Sequence, residues 1–182
     1  IATREGHNAN LRLTIGGPQC SHPYSSSIFN ISAMSFGSLG ARAVETLNLG
    51  AKLGGFAQDT GEGGISSYHR KHGGDLIWEI GSGYFGCRNP DGSFNPDAFA
   101  ERAASDQVKM VELKLSQGAK PGHGGVLPGS KVTPEIADAR GVTVGEECVS
   151  PAAHSAFSTP NEMMEFIARL RDLSGGKPVG FK

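Results

Sequence analysis

Clusters of glycine follow the predicted strands of this chain, and this arrangement constrains the fold more than any other feature. The chain has 27 glycines among 182 residues, a share well above the usual value of about 7%, without a Gly-x-y repeat. The excess gathers at positions 35–40, 61–64, 81–86 and 118–125. Because glycine lets backbone N–H groups approach a ligand closely, we predict a binding site built from these loops.

Predicted strands and helices alternate along the chain. Apolar spacing at Val44, Leu47 and Ala51 predicts a helix, and the capping box Thr159-x-x-Glu162 predicts the start of another. Alternation of this kind predicts an α/β fold with a parallel sheet, whose ligands bind beyond the carboxyl ends of the strands. Residues 1–27 are expected to form an irregular N-terminal segment. The predicted strands are 27–34, 56–60, 76–80, 108–115 and 178–182, and the predicted helices are 38–53, 95–104, 133–140 and 159–174.

Charge and cysteine content exclude several classes of function. The 17 basic and 18 acidic residues give a net charge of −1, so no basic face for nucleic acid is expected. No apolar run reaches the roughly 20 residues of a membrane span, and no signal peptide is evident, so we expect a cytoplasmic protein. The three cysteines Cys20, Cys87 and Cys148 are far apart, which is typical neither of a disulfide framework nor of a zinc site.

The loop 117–125 is the strongest candidate for binding. It places Gln117, Lys120 and His123 among four glycines and a proline. Such a loop holds an anion with backbone N–H groups and a lysine charge, although a surface loop that turns a corner has a similar composition. The loop matches neither a Walker A motif nor G-x-G-x-x-G, which disfavours a nucleoside triphosphate.

Two lysines stand at the ends of predicted strands. Lys114 ends the apolar run that begins at Val108, and Lys182 follows Val179 in the same way. A lysine in that setting must reach a ligand, a carboxylate or solvent. Barrel enzymes place catalytic cations there, whereas a simple edge lysine extends its stem along the surface.

Acidic residues and histidines supply weaker signals. Asp59-Thr60-Gly61 resembles the triplet of aspartic proteases, but that mechanism needs two carboxylates that share a proton. Glu62, between glycines, is therefore the better candidate for a carboxylate that faces substrate. His69 and His72 flank two basic residues, which favours a solvated loop over a metal site. His154 is interpreted as a core or supporting residue, and no metal ligand is predicted.

Several segments, in order along the chain, carry a resemblance to a known family. They are Ser-Ala-Met-Ser-Phe-Gly-Ser (32–38), Asp-Thr-Gly-Glu-Gly-Gly (59–64), Gln-Gly-Ala-Lys-Pro-Gly-His-Gly-Gly (117–125) and Lys-Val-Thr-Pro-Glu-Ile-Ala (131–137). Residues 30–182 resemble the FMN-binding (synthase) domain of glutamate synthase and its stand-alone relatives. The resemblance implies a (β/α)₈ TIM barrel that carries FMN, of which this chain covers roughly strands 1 to 5. Residues 28–182 are thus expected to be a barrel domain truncated at its C-terminal end, the rest of the barrel being a possible partner.

The resemblance also implies a reaction. It is the reductive amination of 2-oxoglutarate with ammonia through 2-iminoglutarate to L-glutamate, with hydride from reduced flavin. The electron donor would be ferredoxin or a pyridine-nucleotide-linked reductase. The family's 3Fe-4S cluster uses cysteines that this chain does not contain, and no glutaminase domain is present. The fragment by itself is expected to be inactive.

Site residues follow from the same resemblance. Lys120 and Arg140 would hold the carboxylates of 2-oxoglutarate, and Glu62 would act with Lys120 in catalysis, near the reacting carbon. Val126 stands where the family has a substrate-binding glutamine, and His123 replaces an acidic residue. These departures leave open an N-methylated glutamate or related imine as substrate, or a binding module without redox chemistry. The residues implied around FMN are Ala33, Met34, Ser35, Thr60, Lys114, Gln117 and Lys182.

Overall fold

The computed structural model describes residues 11–117 and 122–182. Its strands are β1 (Arg12–Ile15), β2 (Tyr24–Ser27), β3 (Gln58–Asp59), β4 (Leu76–Ile80), β5 (Val108–Leu113), β6 (Gly125–Leu127), β7 (Cys148–Ser150) and β8 (Val179–Phe181). Its helices are α1 (Ala41–Gly54), α2 (Ser67–Arg70), α3 (Pro96–Ala103), α4 (Pro134–Arg140) and α5 (Pro160–Leu173), with a 3₁₀ turn at Gly129–Lys131. No helix in these ranges has the length and apolar character needed to cross a membrane.

A parallel sheet organises the fold. Strands β3, β4, β5 and β8 pair in that order, each parallel to the next. An isolated parallel bridge from Ile31 to Gln58 extends the sheet beyond β3. The predicted α/β class with a parallel sheet is therefore confirmed. The order follows the chain without a reversal, and within the described residues the sheet stays open at β8.

Local signals start and stop the longer helices. The Asn95 side chain accepts a hydrogen bond from the Ala98 N–H at 3.0 Å, and Pro96 follows it at the first helical position of α3. Thr159 and Glu162 form a complete capping box at the start of α5. Gly55 ends α1 with φ of 65°, a left-handed conformation that glycine adopts without strain.

The core lies between one face of the sheet and the helices. Trp78 of β4 is fully buried and stacks on Phe99 of α3, with ring centroids 5.1 Å apart. Leu113 of β5 and Leu170 of α5 belong to the same buried cluster. Alternate residues of a strand point to opposite faces. The opposite face therefore carries Glu79 and Glu112, and it leads to the candidate site.

The predicted first strand is wrong over most of its length. The structure has a strand only at Tyr24–Ser27, paired antiparallel with β1, inside the segment predicted to be irregular. Ile28 and Phe29 are 69% and 63% exposed. Between them and Met34, only the Ile31 bridge joins the sheet. An apolar run was taken as a buried strand, whereas no described element covers its first residues.

Two further local predictions need correction. Strand β5 ends at Leu113 rather than 115, and the predicted strand 56–60 is reduced to Gln58–Asp59. His69 lies in helix α2 and is fully buried, with its Nδ1 2.9 Å from the Ser66 hydroxyl, so the predicted solvated loop is wrong there. Burial lowers the pKa of His69 from 6.5 to about 4, because an apolar setting disfavours the imidazolium.

Candidate functional site

The carboxyl ends of the parallel strands bring together the predicted lysines and several acids. Lys114 directly follows β5, and Lys182 directly follows β8. Glu79, on β4, ion-pairs with both: its Oε2 contacts the Lys182 Nζ, and its Oε1 lies 3.8 Å from the Lys114 Nζ. The Glu79 side chain is only 1% exposed. Glu112 of β5 adds a second carboxylate 3.4 Å from Lys182.

A third acid, Asp59, lies beside this network. Carboxylate oxygens of Asp59, Glu79 and Glu112 lie within 4.8 Å of one another. Burial, aided by the charge of Glu79, raises the pKa of Asp59 from 3.8 to about 8. Asp59 is therefore mostly protonated near neutrality. Lys182 ion-pairs with both remaining carboxylates, and Lys114 ion-pairs with Glu79 and also with Glu62.

A second polar network joins Glu62 to the start of the glycine-rich loop. The Gln117 Nε2 donates to both Glu62 oxygens, at 2.9 and 3.1 Å. Lys114 donates to the Gln117 Oε1 at 3.3 Å and lies 3.5 Å from Glu62. The structure thus brings together three residues that the sequence had placed in the site. Glu62 has its oxygens fixed from one side by an amide and an ammonium group.

Arg140, the last residue of α4, is a buried cation that makes no ion pair within the described ranges, although Glu62 lines the same cavity. It is 5% exposed, and no acid within the described part of the chain lies in ion-pair distance of its guanidinium. Its Nε has no hydrogen-bond partner there, and its ring contact is with Phe85, 5.0 Å from the guanidinium carbon. Burial lowers the pKa of Arg140. A buried charge of this kind normally has an anionic partner.

Glycines create the space that Arg140 occupies. A Cβ at Gly37 would lie 3.2 Å from the Arg140 Nη2, and a Cβ at Gly63 would lie 3.1 Å from it. At Gly64, where φ is +80°, a Cβ would meet the Ala139 carbonyl oxygen at 2.2 Å. The glycines of the loop that follows β3 are therefore required for α4 to pack closely enough that Arg140 reaches this position. This close approach explains their position in the sequence.

A cavity of about 220 Å³ connects Arg140 with Glu62 and Gln117. Val126 of the β6–β7 hairpin also lines it, with 59% of its surface exposed. The remaining lining residues are Ser35, Ser38, Gly125, Leu127, Cys148 and Ser150. The cavity thus offers one cation, one carboxylate and several hydroxyls to a small polar ligand.

The other residues predicted for the site lie in the segment 33–35, at Thr60 and in the glycine-rich loop. Ser35 is buried, and its hydroxyl lies 2.8 Å from that of Ser38, while Ala33 and Met34 are half-buried on the same segment. Thr60 is fully buried; its hydroxyl donates to the Gly61 carbonyl at 2.9 Å and accepts from the Glu79 N–H at 3.1 Å. Its hydroxyl therefore serves the protein's own backbone. Lys120 lies outside the described residues, so its predicted roles stay predictions.

The sequence analysis missed Glu79 and Glu112. The available signal was an acidic residue inside an apolar strand, as in Leu-Ile-Trp-Glu-Ile. The same kind of signal, a charged residue in an apolar strand, identified Lys114.

His154, interpreted as a supporting residue, is buried between two strand-end loops. Its Nε2 lies 2.7 Å from the Lys114 carbonyl, and its Nδ1 lies 3.0 Å from the Tyr84 hydroxyl. Tyr84 has φ of 48°, the one positive value among described residues other than glycine, so this contact lies at a strained turn.

The fold and the site together define a class. A parallel sheet in chain order presents charged side chains at its carboxyl ends, where α/β enzymes bind their ligands. The family model for the conserved region in glutamate synthase matches residues 18–182. The chain therefore belongs to the glutamate synthase family, and the resemblance stated from its motifs is confirmed.

Individual relatives agree with this assignment. The chain is 48% identical over 170 residues to the glutamate synthase large subunit-like protein YerD of Bacillus subtilis, covering 92% of this chain and 32% of that protein. It is 36% identical over 152 residues to the archaeal glutamate synthase (NADPH) of Archaeoglobus fulgidus, covering 83% and 27%. Against the archaeal-type enzyme of Thermotoga sp. strain RQ2 the identity is 35% over 151 residues, covering 82% and 27%. The chain thus spans 27–32% of the length of these curated relatives.

Proposed function

We propose that this chain forms part of an FMN-dependent enzyme that converts 2-oxoglutarate and ammonia to L-glutamate by reductive amination. The observation that carries the proposal is Arg140, a buried guanidinium without a carboxylate partner in the described residues, at a cavity that it shares with Glu62. Family membership supplies the reaction class. We further propose that the sheet is an arc of a (β/α)₈ barrel, because its strands follow chain order without reversal.

The residues at the strand ends fit a flavin ring. The pyrimidine edge of a flavin offers carbonyl acceptors and one N–H donor. Lys114 and Lys182 supply cationic donors for the carbonyls, and the Gln117 amide, whose Nε2 donates to Glu62, lies beside Lys114. The Oε1 of Glu79 is a buried acceptor without a hydrogen-bond partner among described residues, and it suits the N–H. A bound FMN would supply hydride to a carbon–nitrogen double bond, and the lysines would stabilise the anionic reduced ring.

The substrate would lie in the cavity of Arg140. A guanidinium binds a carboxylate through two parallel hydrogen bonds, and its burial strengthens the attraction because water does not screen it. Arg140 thus orients one end of 2-oxoglutarate. We assign the other carboxylate to Lys120, on the loop that Gln117 begins. Two charged anchors then fix the carbon that receives hydride.

Glu62 is proposed to act on the nitrogen. Amination of a ketone passes through an imine, and the protonated imine accepts hydride more readily than the neutral form. A carboxylate held by Gln117 and Lys114 stabilises that positive charge while it develops. It also attracts the ammonium ion before condensation. The same rigid placement keeps Glu62 from pairing with Arg140, which leaves Arg140 available to substrate.

Electron supply and iron–sulfur chemistry are proposed from the relatives. Relatives from Archaeoglobus and Thermotoga are named glutamate synthase (NADPH), so we propose a pyridine nucleotide as the ultimate donor. Cys20, Cys87 and Cys148 are free thiols, and within the described residues no three cysteines gather at one point. A 3Fe-4S cluster would accordingly use cysteines other than these three.

Val126 favours a second candidate substrate. Its apolar side chain lines the cavity near Glu62, where it offers van der Waals contact to a methyl group and no hydrogen bond to an amine. An N-methylated glutamate would make use of that contact. Methylamine in place of ammonia separates the two candidates.

The experiment is a product assay with the intact protein. The protein, loaded with FMN and reduced chemically without oxygen, is mixed with 2-oxoglutarate and either ammonium or methylamine. Mass spectrometry then identifies glutamate or N-methylglutamate. We expect glutamate from ammonium at a higher rate. An excess of N-methylglutamate at equal amine concentration assigns the second candidate, and no amino acid from either amine contradicts the proposed function.

A further inference from the structure

The two strand-end lysines share one buried carboxylate. Of the two lysines, Glu62 ion-pairs only with Lys114, and Glu112 ion-pairs only with Lys182. Among the described residues, Glu79 is the only acid that ion-pairs with both. It extends from β4, the strand adjacent to β5, and its backbone N–H is held by the Thr60 hydroxyl at 3.1 Å.

We propose that Glu79 is a positioning residue, which aims Lys114 and Lys182 at the carboxyl end of the sheet and keeps their like charges side by side. The inference rests on the proposed function, because it concerns the lysines assigned to the flavin. Two ammonium groups near one point repel each other, and a carboxylate between them removes that cost. Since Glu79 is 1% exposed, water contributes little to screening the repulsion.

Acidic side chains on three strands of the sheet act on Lys182. Glu79 on β4, Glu112 on β5 and Asp59 on β3 all raise its affinity for protons. Burial lowers the pKa of the Lys182 ammonium, but the three acids together, with Glu79 first among them, hold the pKa above its usual value. The contributions of Glu112 and Asp59 are smaller. Lys114 faces Glu62, Glu79 and the Gln117 amide.

The experiment compares the intact protein with the variants E79Q and E112Q. Both variants remove one negative charge beside Lys182, but only E79Q also removes the charge beside Lys114. The midpoint potentials of free and protein-bound FMN are measured between about pH 7 and about pH 10. Their difference gives the ratio of the affinities for reduced and oxidised FMN, which is the preference compared here.

Because Asp59 titrates within this range in all three proteins, each variant is compared with the unmodified protein at the same pH, and the readout is the ratio of the two preferences. In E79Q we expect it to fall at least about tenfold at the alkaline end, because Lys182 loses its proton. For E112Q the fall should stay below about threefold. An E79Q protein that follows the unmodified protein at every pH overturns the inference. A purely structural role for Glu79 would change stability without creating this pH dependence.

An NMR titration and a second variant distinguish failure of the inference from failure of the proposed function or of folding. If the unmodified protein binds no FMN, the proposed function fails, and the inference is then tested without flavin. In that arm, NMR titration of ¹³C-methylated lysines must show a lower pKa for Lys182 in E79Q. If E79Q does not fold, E79D keeps the charge but shortens the reach. We then expect FMN affinity to fall at all pH values, and an E79D protein with unchanged affinity overturns the inference.

Discussion

Replacement of Arg140 by methionine tests whether this cation exists for a ligand. The guanidinium is 5% exposed and has no ion-pair partner within the described residues. An unpaired buried charge costs several kcal/mol, whereas its contact with the Phe85 ring and its 3.5 Å hydrogen bond to the Phe36 carbonyl each return only about 1 kcal/mol. Methionine keeps an unbranched side chain over that ring. We therefore expect R140M to gain about 1–2 kcal/mol in the free energy of unfolding.

Ligand binding should change in the opposite direction. Hydrogen bonds to charged groups contribute about 1.5–3 kcal/mol each, so losing a two-bond contact with carboxylate weakens 2-oxoglutarate binding by at least about 3 kcal/mol. That loss corresponds to about 150-fold in the dissociation constant. Isothermal calorimetry with the intact protein measures the affinity, and urea unfolding measures the stability. A gain in one together with a loss in the other is the signature of a functional residue.

Arg88 provides the matched control. Its guanidinium carbon lies 5.3 Å from the same Phe85 ring, but its Nη1 donates to the Gly83 carbonyl at 3.2 Å, and it does not line the cavity of Arg140. We expect R88M to bind 2-oxoglutarate within about twofold of the unmodified protein. An R140M protein that loses stability while keeping its affinity refutes the reasoning, since Arg140 would then be a structural residue.

Three further predictions concern stability and the shape of the site. Because Asp59 has a pKa of about 8 in the folded protein against 3.8 for an ordinary aspartate, the folded state binds more protons within that window, and stability falls as pH rises through it. D59N should remove this slope and add up to about 5 kcal/mol at pH 8 in urea unfolding; equal slopes in both proteins would exclude the buried acid. His69, with a pKa of about 4 against 6.5, should make stability fall by up to about 3 kcal/mol as pH drops through that interval, and H69Q should lack this dependence if the imidazole is its source. G64A places a Cβ 2.2 Å from the Ala139 carbonyl oxygen, so it should lower both stability and 2-oxoglutarate affinity. The control is G73A, where φ is +67° and the space around the Cβ is open. It should cost only about 1 kcal/mol in stability and leave the affinity unchanged.

Local chemistry explains which parts of the fold could be predicted from the sequence. Helices α3 and α5 begin at capping residues that act within one turn, so their starts at 96 and 160 follow directly from Asn95 and Thr159. The parallel sheet follows from the alternation of strands and helices. Ile28 and Phe29 were misplaced because composition does not show what covers a side chain. The Ile28 N–H donates to the Leu11 carbonyl at 3.0 Å, so this residue continues the two-stranded sheet of β1 and β2 instead of entering the parallel sheet.

Only part of the candidate site could be predicted, because contacts between its side chains depend on which strands are neighbours. Lys114, Gln117 and Glu62 were identified separately, and the structure joins them through hydrogen bonds. Their contact depends on which strands are neighbours, which the chain order of the sheet provides. Glu79 was missed because a single acid in a strand next to Trp78 gives no motif. Its role became visible only when β4 and β8 placed two lysines beside it.

Under the proposed function, the site couples flavin oxidation to amination of 2-oxoglutarate. The most direct measurement is a single-turnover experiment in which the intact protein, with its FMN reduced in the absence of oxygen, is mixed with 2-oxoglutarate and ¹⁵N-ammonium. We expect the oxidised flavin absorbance to return only when both compounds are present, and one ¹⁵N-glutamate to form per flavin oxidised. Return of the absorbance without glutamate, or no return with both compounds present, would contradict it.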